Sequence, residues 1–347
     1  MSIYLIRFIC ILIVFFFCKF ALAGNVVVLI YHKIGEPLSP STNVSLEKFK
    51  QQMEYLKTHN YQVIHLKEMV SRLENHKALP ENGVVITMDD GYKSIYTNAF
   101  PILKAYGYPF TVFLPTEAIE KGYPAYMSWK EIKIMKRWGA DFQSHSNAHH
   151  HMAFIPPNMD EKAYRKWIRD DLQKSIDIFQ NRLGYKPEIL AFPYGEYNKI
   201  LTDEALKMGF KALLTQDPGA VDENTPLSLI PREPILGKNW STISHFKEVL
   251  NRVNLPIVKR FPDAGILKDI PHTIGAKLKY PDNYSNIKIY VSETGWHKAK
   301  LNKEGEVYIE NNCKLKRKIN RIGVAGYDKN RGKEAVNFWM IIQDSSF

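Results

Sequence analysis

From Asn25 to about Leu250 the chain alternates short apolar runs with longer stretches of helical periodicity. The runs are Val26–Tyr31, Val84–Met88, Phe110–Leu114, Asp141–Gln143, Ile189–Phe192 and Phe210–Thr215. Several are rich in β-branched residues and lack strict alternation, which predicts strands covered on both faces. Between them, Ser45 predicts an N-cap for a helix carrying Leu46, Phe49, Met53 and Leu56 on one face. Helical patterns are also predicted over Tyr92–Tyr106, Trp129–Trp138, Glu161–Leu183, Leu201–Met208 and Ser241–Val249. Repeated strand–helix units predict a parallel sheet or a (β/α) barrel.

After Asn254 the pattern changes. Ile287–Val291, Val307–Ile309 and Val336–Ile342 read as strands separated by turns such as Asn302-Lys303-Glu304-Gly305, which predicts a small antiparallel β-rich domain. The stretch Phe261–Pro281 holds Pro262, Pro271, Pro281, Gly265 and Gly275 and reads as a linker. The expected division is a barrel domain over 24–260 and a linker plus β-rich accessory domain over 261–347.

The first 23 residues belong to neither pattern. Arg7 precedes the apolar run Ile9–Phe17, and Ala21-Leu22-Ala23 fits a cleavage site before Gly24. This predicts a secretory signal peptide and an exported protein, periplasmic, extracellular or attached to the cell envelope. Lys19 breaks the run short of the roughly 20 apolar residues that a membrane span needs. Cys10 and Cys18 lie in this leader, so Cys313 alone remains and no internal disulfide is expected.

Across 347 residues, 45% hydrophobic and 24% charged content excludes a disordered chain. The net charge is +11. The leader contributes two cations, and more than half of the remaining excess lies in residues 261–347. Lys314, Lys316, Arg317, Lys318 and Arg321 suggest an anionic cell-envelope surface as a partner, or a solvated strand face. No nucleic-acid-binding motif is present, so nucleic acid is not expected as a partner.

Polar clusters follow the expected strand ends, which in a (β/α) barrel converge on the face where active sites lie. Asp89 and Asp90, in Thr87-Met88-Asp89-Asp90-Gly91, are adjacent carboxylates that need a cation or hydrogen bonds to stay close and charged. One can bind a metal while the other accepts a proton. His145 and His149, in Ser144-His145-Ser146-Asn147-Ala148-His149, would point to one side of a helical turn and suit a divalent ion. With Asp90 they make a His-His-Asp set with open coordination positions. In Phe192-Pro193-Tyr194-Gly195, a sharp turn can aim the backbone N–H of Tyr194 into the cleft as an oxyanion donor. His32 ends the first strand, where an acid is needed. Taken singly, the Asp89-Asp90-Gly91 and Pro193-Tyr194-Gly195 clusters also fit ordinary turns, His145–His151 a solvated histidine run and His32 a structural histidine; their shared placement is what points to chemistry.

Together these residues resemble the polysaccharide deacetylase family, the carbohydrate esterases of family 4 with a NodB-type homology domain. Thr87-Met88-Asp89-Asp90-Gly91 is similar to the family's T-F-D-D-G, with Met88 in place of phenylalanine, and His145-Ser146-Asn147-Ala148-His149 matches H-[ST]-x-x-H. Phe192-Pro193-Tyr194-Gly195 resembles the third motif. The Leu29-Ile30-Tyr31-His32 opening looks most like the branch acting on poly-β-1,6-N-acetylglucosamine. Where many members carry an arginine a few residues before the Pro-Tyr pair, Leu190-Ala191-Phe192 has none, and the fourth and fifth motifs have no clear counterpart.

The resemblance implies a distorted (β/α) barrel and metal-dependent removal of N-acetyl groups from a glucosamine-containing polysaccharide. It implies that Asp89 is the general base and that Asp90, His145 and His149 hold one divalent ion, Zn²⁺ foremost, with Ni²⁺, Co²⁺ or Fe²⁺ as alternatives. It implies that the Tyr194 N–H stabilises the oxyanion and that His32 protonates the leaving amine; His245 and His272 are the other candidates for the acid. Arg232 is a candidate for orienting Asp89, the alternative being a surface ion pair with Glu233 or another acid. Tyr92, Trp129 and Tyr194 lie near the motifs, and Trp296, Tyr308, Tyr327 and Trp339 could serve a carbohydrate-binding function in the C-terminal segment. Peptidoglycan, chitin oligomers and acetyl-xylan are alternative substrates. A glycan-binding protein on an inactive scaffold is a further alternative, against which the intact Asp89, Asp90, His145 and His149 argue.

Overall fold

A computed structural model describes residues 24–267, 269, 271–310 and 315–343; the expected leader, Cys313 and Lys314 lie outside the described residues. Seven parallel strands build the barrel wall: β1 (Val26–Tyr31), β2 (Gly83–Met88), β3 (Thr111–Leu114), β4 (Asp141–Ser144), β5 (Ile189–Ala191), β6 (Ala212–Leu214) and β7 (Glu233–Pro234). They pair in the order β7-β1-β2-β3-β4-β5-β6, and the short strand Gln62–Val63 also pairs with β2. Every residue of β1 and β2 is buried, which is why both read as unbroken apolar runs. The segment Ile230–Ile235 closes the circuit. Thr215 N–H donates to Ile230 O (2.9 Å) beside β6, and Ile235 N–H donates to Ile30 O (2.9 Å) in β1.

The helices are α1 (Leu46–Thr58), α2 (Leu66–Glu74), α3 (Phe100–Tyr106), α4 (Thr116–Glu120), α5 (Trp129–Trp138), α6 (Glu161–Leu183), α7 (Lys199–Lys207) and α8 (Ile243–Leu250), with a single turn at Gly237–Trp240. Ser45 caps α1 by accepting Lys48 N–H, and Ser128 with Glu131 forms a capping box on α5. The expected helix Tyr92–Tyr106 is shorter: a π turn over Ile95–Ala99 leads into α3. Pro101 has no N–H to give to the turn before it, so the regular ladder cannot run through.

The C-terminal strands include Val253–Asn254, β8 (Ile257–Phe261), Gly265–Ile266, β9 (Thr273–Leu278), β10 (Tyr284–Val291), β11 (Gly295–Lys298), Lys300–Leu301, β12 (Glu306–Glu310), β13 (Ile319–Asp328) and β14 (Lys333–Ile342). They form a six-stranded and a four-stranded sheet. Ile274, Leu278 and Val307 from one sheet share a core with Ile289, Ile322, Val324 and Trp339 from the other.

The expected linker Phe261–Pro281 is therefore wrong. It contains β9, whose Ile274, Ala276 and Leu278 alternate into the core, a period-2 signal that the surrounding prolines and glycines obscure. Pairing with the C-terminal sheets begins at Val253, ahead of residue 261. Met340 and Ile342 of β14 pack with Phe192, Leu201 and Leu213 of the barrel, so the two parts share buried surface. Among the described residues no helix is long and apolar enough to cross a membrane.

Candidate active site

The ends of β1, β2, β4 and β5 deliver their polar residues to one cleft. Its volume is about 610 Å³, and His32, Asp90, Tyr92, His145, His149 and Tyr194 are among the residues that line it. Asp90 Oδ1 lies 3.1 Å from His149 Nε2 and 3.5 Å from His145 Nε2. These three ligand atoms fall within 4.8 Å of one another.

The donor set suits a divalent cation, and the surroundings fix its orientation. His145 Nδ1 meets Ala191 O at 2.8 Å, so Nδ1 carries a proton and Nε2 is the ring atom that faces Asp90. Three such ligands would leave coordination positions open, as in catalytic sites.

The two histidines do not sit on a helical turn, contrary to expectation. Residues 145–149 form an irregular loop after β4, with Ser146 (φ 65°) and His149 (φ 55°) left-handed. Asp171 on α6 holds that loop: its carboxylate accepts Asn147 N–H (2.9 Å) and Ala148 N–H (3.0 Å). Sequence reasoning missed Asp171. The signal is an acid in the buried helical stripe Ile168, Asp171, Leu172, Ser175, Phe179.

Asp90 (φ 69°) and Tyr194 (φ 60°) are also left-handed, so four of the eight non-glycine residues with positive φ among the described residues are at this site. Such strain persists only where surrounding structure over-determines it.

Asp89 is fully buried and bound by Arg232 through two hydrogen bonds, Nη1 to Oδ1 (2.7 Å) and Nη2 to Oδ2 (2.9 Å). Burial alone would raise the Asp89 carboxyl; the Arg232 guanidinium and His145 outweigh it and hold the group below its ordinary value. Arg232 does not make the alternative pair with Glu233, which meets Arg252 at 2.7 Å.

His32 is buried in the cleft wall, and its Nδ1 has no hydrogen-bond partner. Burial lowers its pKa, against the opposing pull of Asp90 and Asp89. His245 lies on α8 and His272 is exposed, and neither lines the cleft. The Tyr194 ring packs on His149 (centroids 4.6 Å) and stacks on His151 (3.7 Å), whose Nδ1 meets Glu196 at 2.8 Å.

Tyr123 and Tyr126 join Tyr92 in the cleft wall, whereas Trp129 packs against the barrel core. Trp339 is fully buried, which removes it from any carbohydrate-binding surface, while Trp296 and Tyr327 are exposed. Lys316, Arg317 and Lys318 are exposed as expected; Arg321 is not a free surface cation but pairs with Asp217.

The polysaccharide deacetylase family model matches residues 76–213, which include Asp89, Asp90, His145, His149 and Tyr194. A poly-β-1,6-N-acetyl-D-glucosamine N-deacetylase of Staphylococcus aureus is 31% identical over 194 residues, covering 55% of this chain and 67% of that protein. This chain belongs to the polysaccharide deacetylase family. An Escherichia coli poly-β-1,6-N-acetyl-D-glucosamine N-deacetylase is 24% identical over 283 residues, 71% of this chain but 41% of that longer protein. Among solved structures, the Streptococcus pyogenes deacetylase PplD superposes with a TM-score of 0.59 at 24% identity, covering 66% of this chain and 99% of its own. That likeness shows that the polysaccharide deacetylase barrel is the fold seen here.

Proposed function

We propose that the protein is an exported, metal-dependent N-deacetylase of poly-β-1,6-N-acetylglucosamine. The observation that carries this reading is the Asp90–His145–His149 donor cluster beside the buried Asp89–Arg232 pair in one open cleft. The names of the S. aureus and E. coli relatives support the choice of polymer. Residues 1–23 support export.

The overall reaction adds water across the amide: its oxygen joins the acetyl carbon, the C–N bond breaks, and acetate and a free amine leave. A divalent ion held by Asp90, His145 and His149, with zinc the leading choice, would acidify the attacking water and polarise the amide carbonyl. Asp89 accepts the water proton, its carboxylate held ionised and in plane by Arg232. The Tyr194 N–H serves the developing oxyanion. His32, buried in the cleft wall, delivers a proton to the amine as the C–N bond breaks. The tyrosines of the cleft offer flat faces to sugar rings.

The test is acetate release from poly-β-1,6-N-acetylglucosamine, peptidoglycan and chitin oligomers, with and without a chelator. The expected result is release from the first, abolished by chelation and restored by a divalent ion. Release from only the other two would overturn the substrate, and release unaffected by chelation would overturn the metal.

A further inference from the structure

Thr215, Gln216 and Asp217 follow β6 and lie between the cleft and the C-terminal sheets. Gln216 lines the cleft. On either side of it, the carbonyls of Thr215 and Asp217 accept from Arg232, the first from Nε–H (2.8 Å) and the second from the backbone N–H (3.0 Å). Asp217 N–H donates to Thr215 Oγ1 at 3.1 Å, which ties the segment to itself.

The Asp217 side chain bonds to groups on the other side. Its Oδ2 accepts from the Tyr197 hydroxyl (2.7 Å) and its Oδ1 from Arg321 Nε–H (3.1 Å). The Tyr197 oxygen in turn accepts Met340 N–H at 3.1 Å. Arg321 on β13 and Met340 on β14 are direct cross-strand partners, so a single rung of the C-terminal sheet supports both groups that bind Asp217. Asp217 and Tyr197 are almost fully buried, so the bond between them is shielded from water, while Arg321 is half-buried.

We infer that the Arg321–Met340 rung acts through Tyr197 and Asp217 to set the orientation of Arg232, and so of Asp89. Asp217, Tyr197 and Arg321 are positioning residues for the deacetylase reaction, and the C-terminal sheet is part of the catalytic apparatus. The inference rests on the reading of Asp89 as the base. Each link is a hydrogen bond, buried at Asp217, Tyr197 and Arg232 and half-buried at Arg321, and a small displacement of a reacting group is enough to lower turnover by about 100-fold.

The experiment is steady-state acetate release by the full chain, with metal content and melting temperature measured on the same samples. Arg321→Ala is expected to lower kcat about 10- to 100-fold per metal-loaded, folded molecule, with KM unchanged. Arg321→Lys is expected to recover part of that loss, because it keeps a cation beside Asp217. If Arg321→Ala does not fold, Tyr197→Phe carries the same expectation, since it removes only the bridging hydroxyl. In a double-mutant cycle, Arg321→Ala is expected to add nothing once Arg232→Lys is present. A fall in melting temperature with kcat unchanged, or losses that multiply independently of Arg232→Lys, would overturn the inference. Full activity in Asp89→Asn and in Arg232→Lys would instead refute the assignment of the base.

Discussion

Asp89 and Arg232 stand 143 residues apart and meet through two hydrogen bonds, with neither side chain exposed. The guanidinium fork matches the carboxylate plane, which a lysine cannot do. Replacing Arg232 with methionine strands a buried carboxylate, so a loss of about 3–5 kcal/mol in stability is expected. Arg232→Lys retains the charge but not the fork, and is expected to fold with kcat reduced and metal content normal. Thermal melting and acetate release measured together check both expectations.

Asp171 holds the loop that carries His149 without touching that side chain. Asp171→Ala leaves the N–H groups of Asn147 and Ala148 without their acceptor, each worth about 1–3 kcal/mol when buried and unpaired. The loop carrying His149 loosens, and a fall of about 10- to 100-fold in metal affinity is expected. Metal titration of the folded variant tests this. An unchanged affinity would show that His149 is held by other contacts.

Glu204 on α7 binds three cations: Arg165 (2.7 Å) and Arg169 (2.8 Å) on α6, and Lys207 (3.4 Å) on its own helix. Hydrogen bonding from Arg169, with help from Arg165 and Lys207, lowers its carboxyl to about 2 against the opposing effect of burial. A depressed carboxyl contributes stability above its unfolded pKa and loses it as pH falls through the folded value. The stability gap between the native chain and Glu204→Gln is therefore expected to be full above about pH 4.5 and to close toward about pH 2. Denaturant unfolding at several pH values measures it; a gap that stays constant over that range contradicts the assignment.

Gly323 on β13 lies under the Phe338 ring, and a Cβ there would fall 2.3 Å from a ring carbon. Gly323→Val is expected to destabilise the chain by about 1–3 kcal/mol through overpacking, read by denaturant unfolding. A neutral outcome would mean that the ring swings clear at no cost.

The barrel was legible because its strands are buried on both faces, and burial of that kind writes an apolar run into the sequence. Helix α2 carries Leu66, Met69, Val70 and Leu73 at helical spacing, so its pattern was also there to be read. β13 was harder: Asn320, Arg321, Gly323 and Gly326 interrupt its alternation, and those residues serve tertiary contacts instead. His145 and His149 came to one place through a strained loop, although their spacing suggested a helical turn. The partners of Asp89, Asp171 and Asp217 come from distant parts of the chain or from other elements, and no local pattern announces such pairs.

The central claim is a division of labour between adjacent carboxylates: Asp90 holds the ion and Asp89 takes the proton. The direct measurement is metal content and acetate release in Asp89→Asn beside Asp90→Asn. The account predicts that Asp89→Asn retains near-normal metal with turnover abolished, while Asp90→Asn loses both. Metal loss in Asp89→Asn as severe as in Asp90→Asn, or turnover surviving without Asp89, would contradict it.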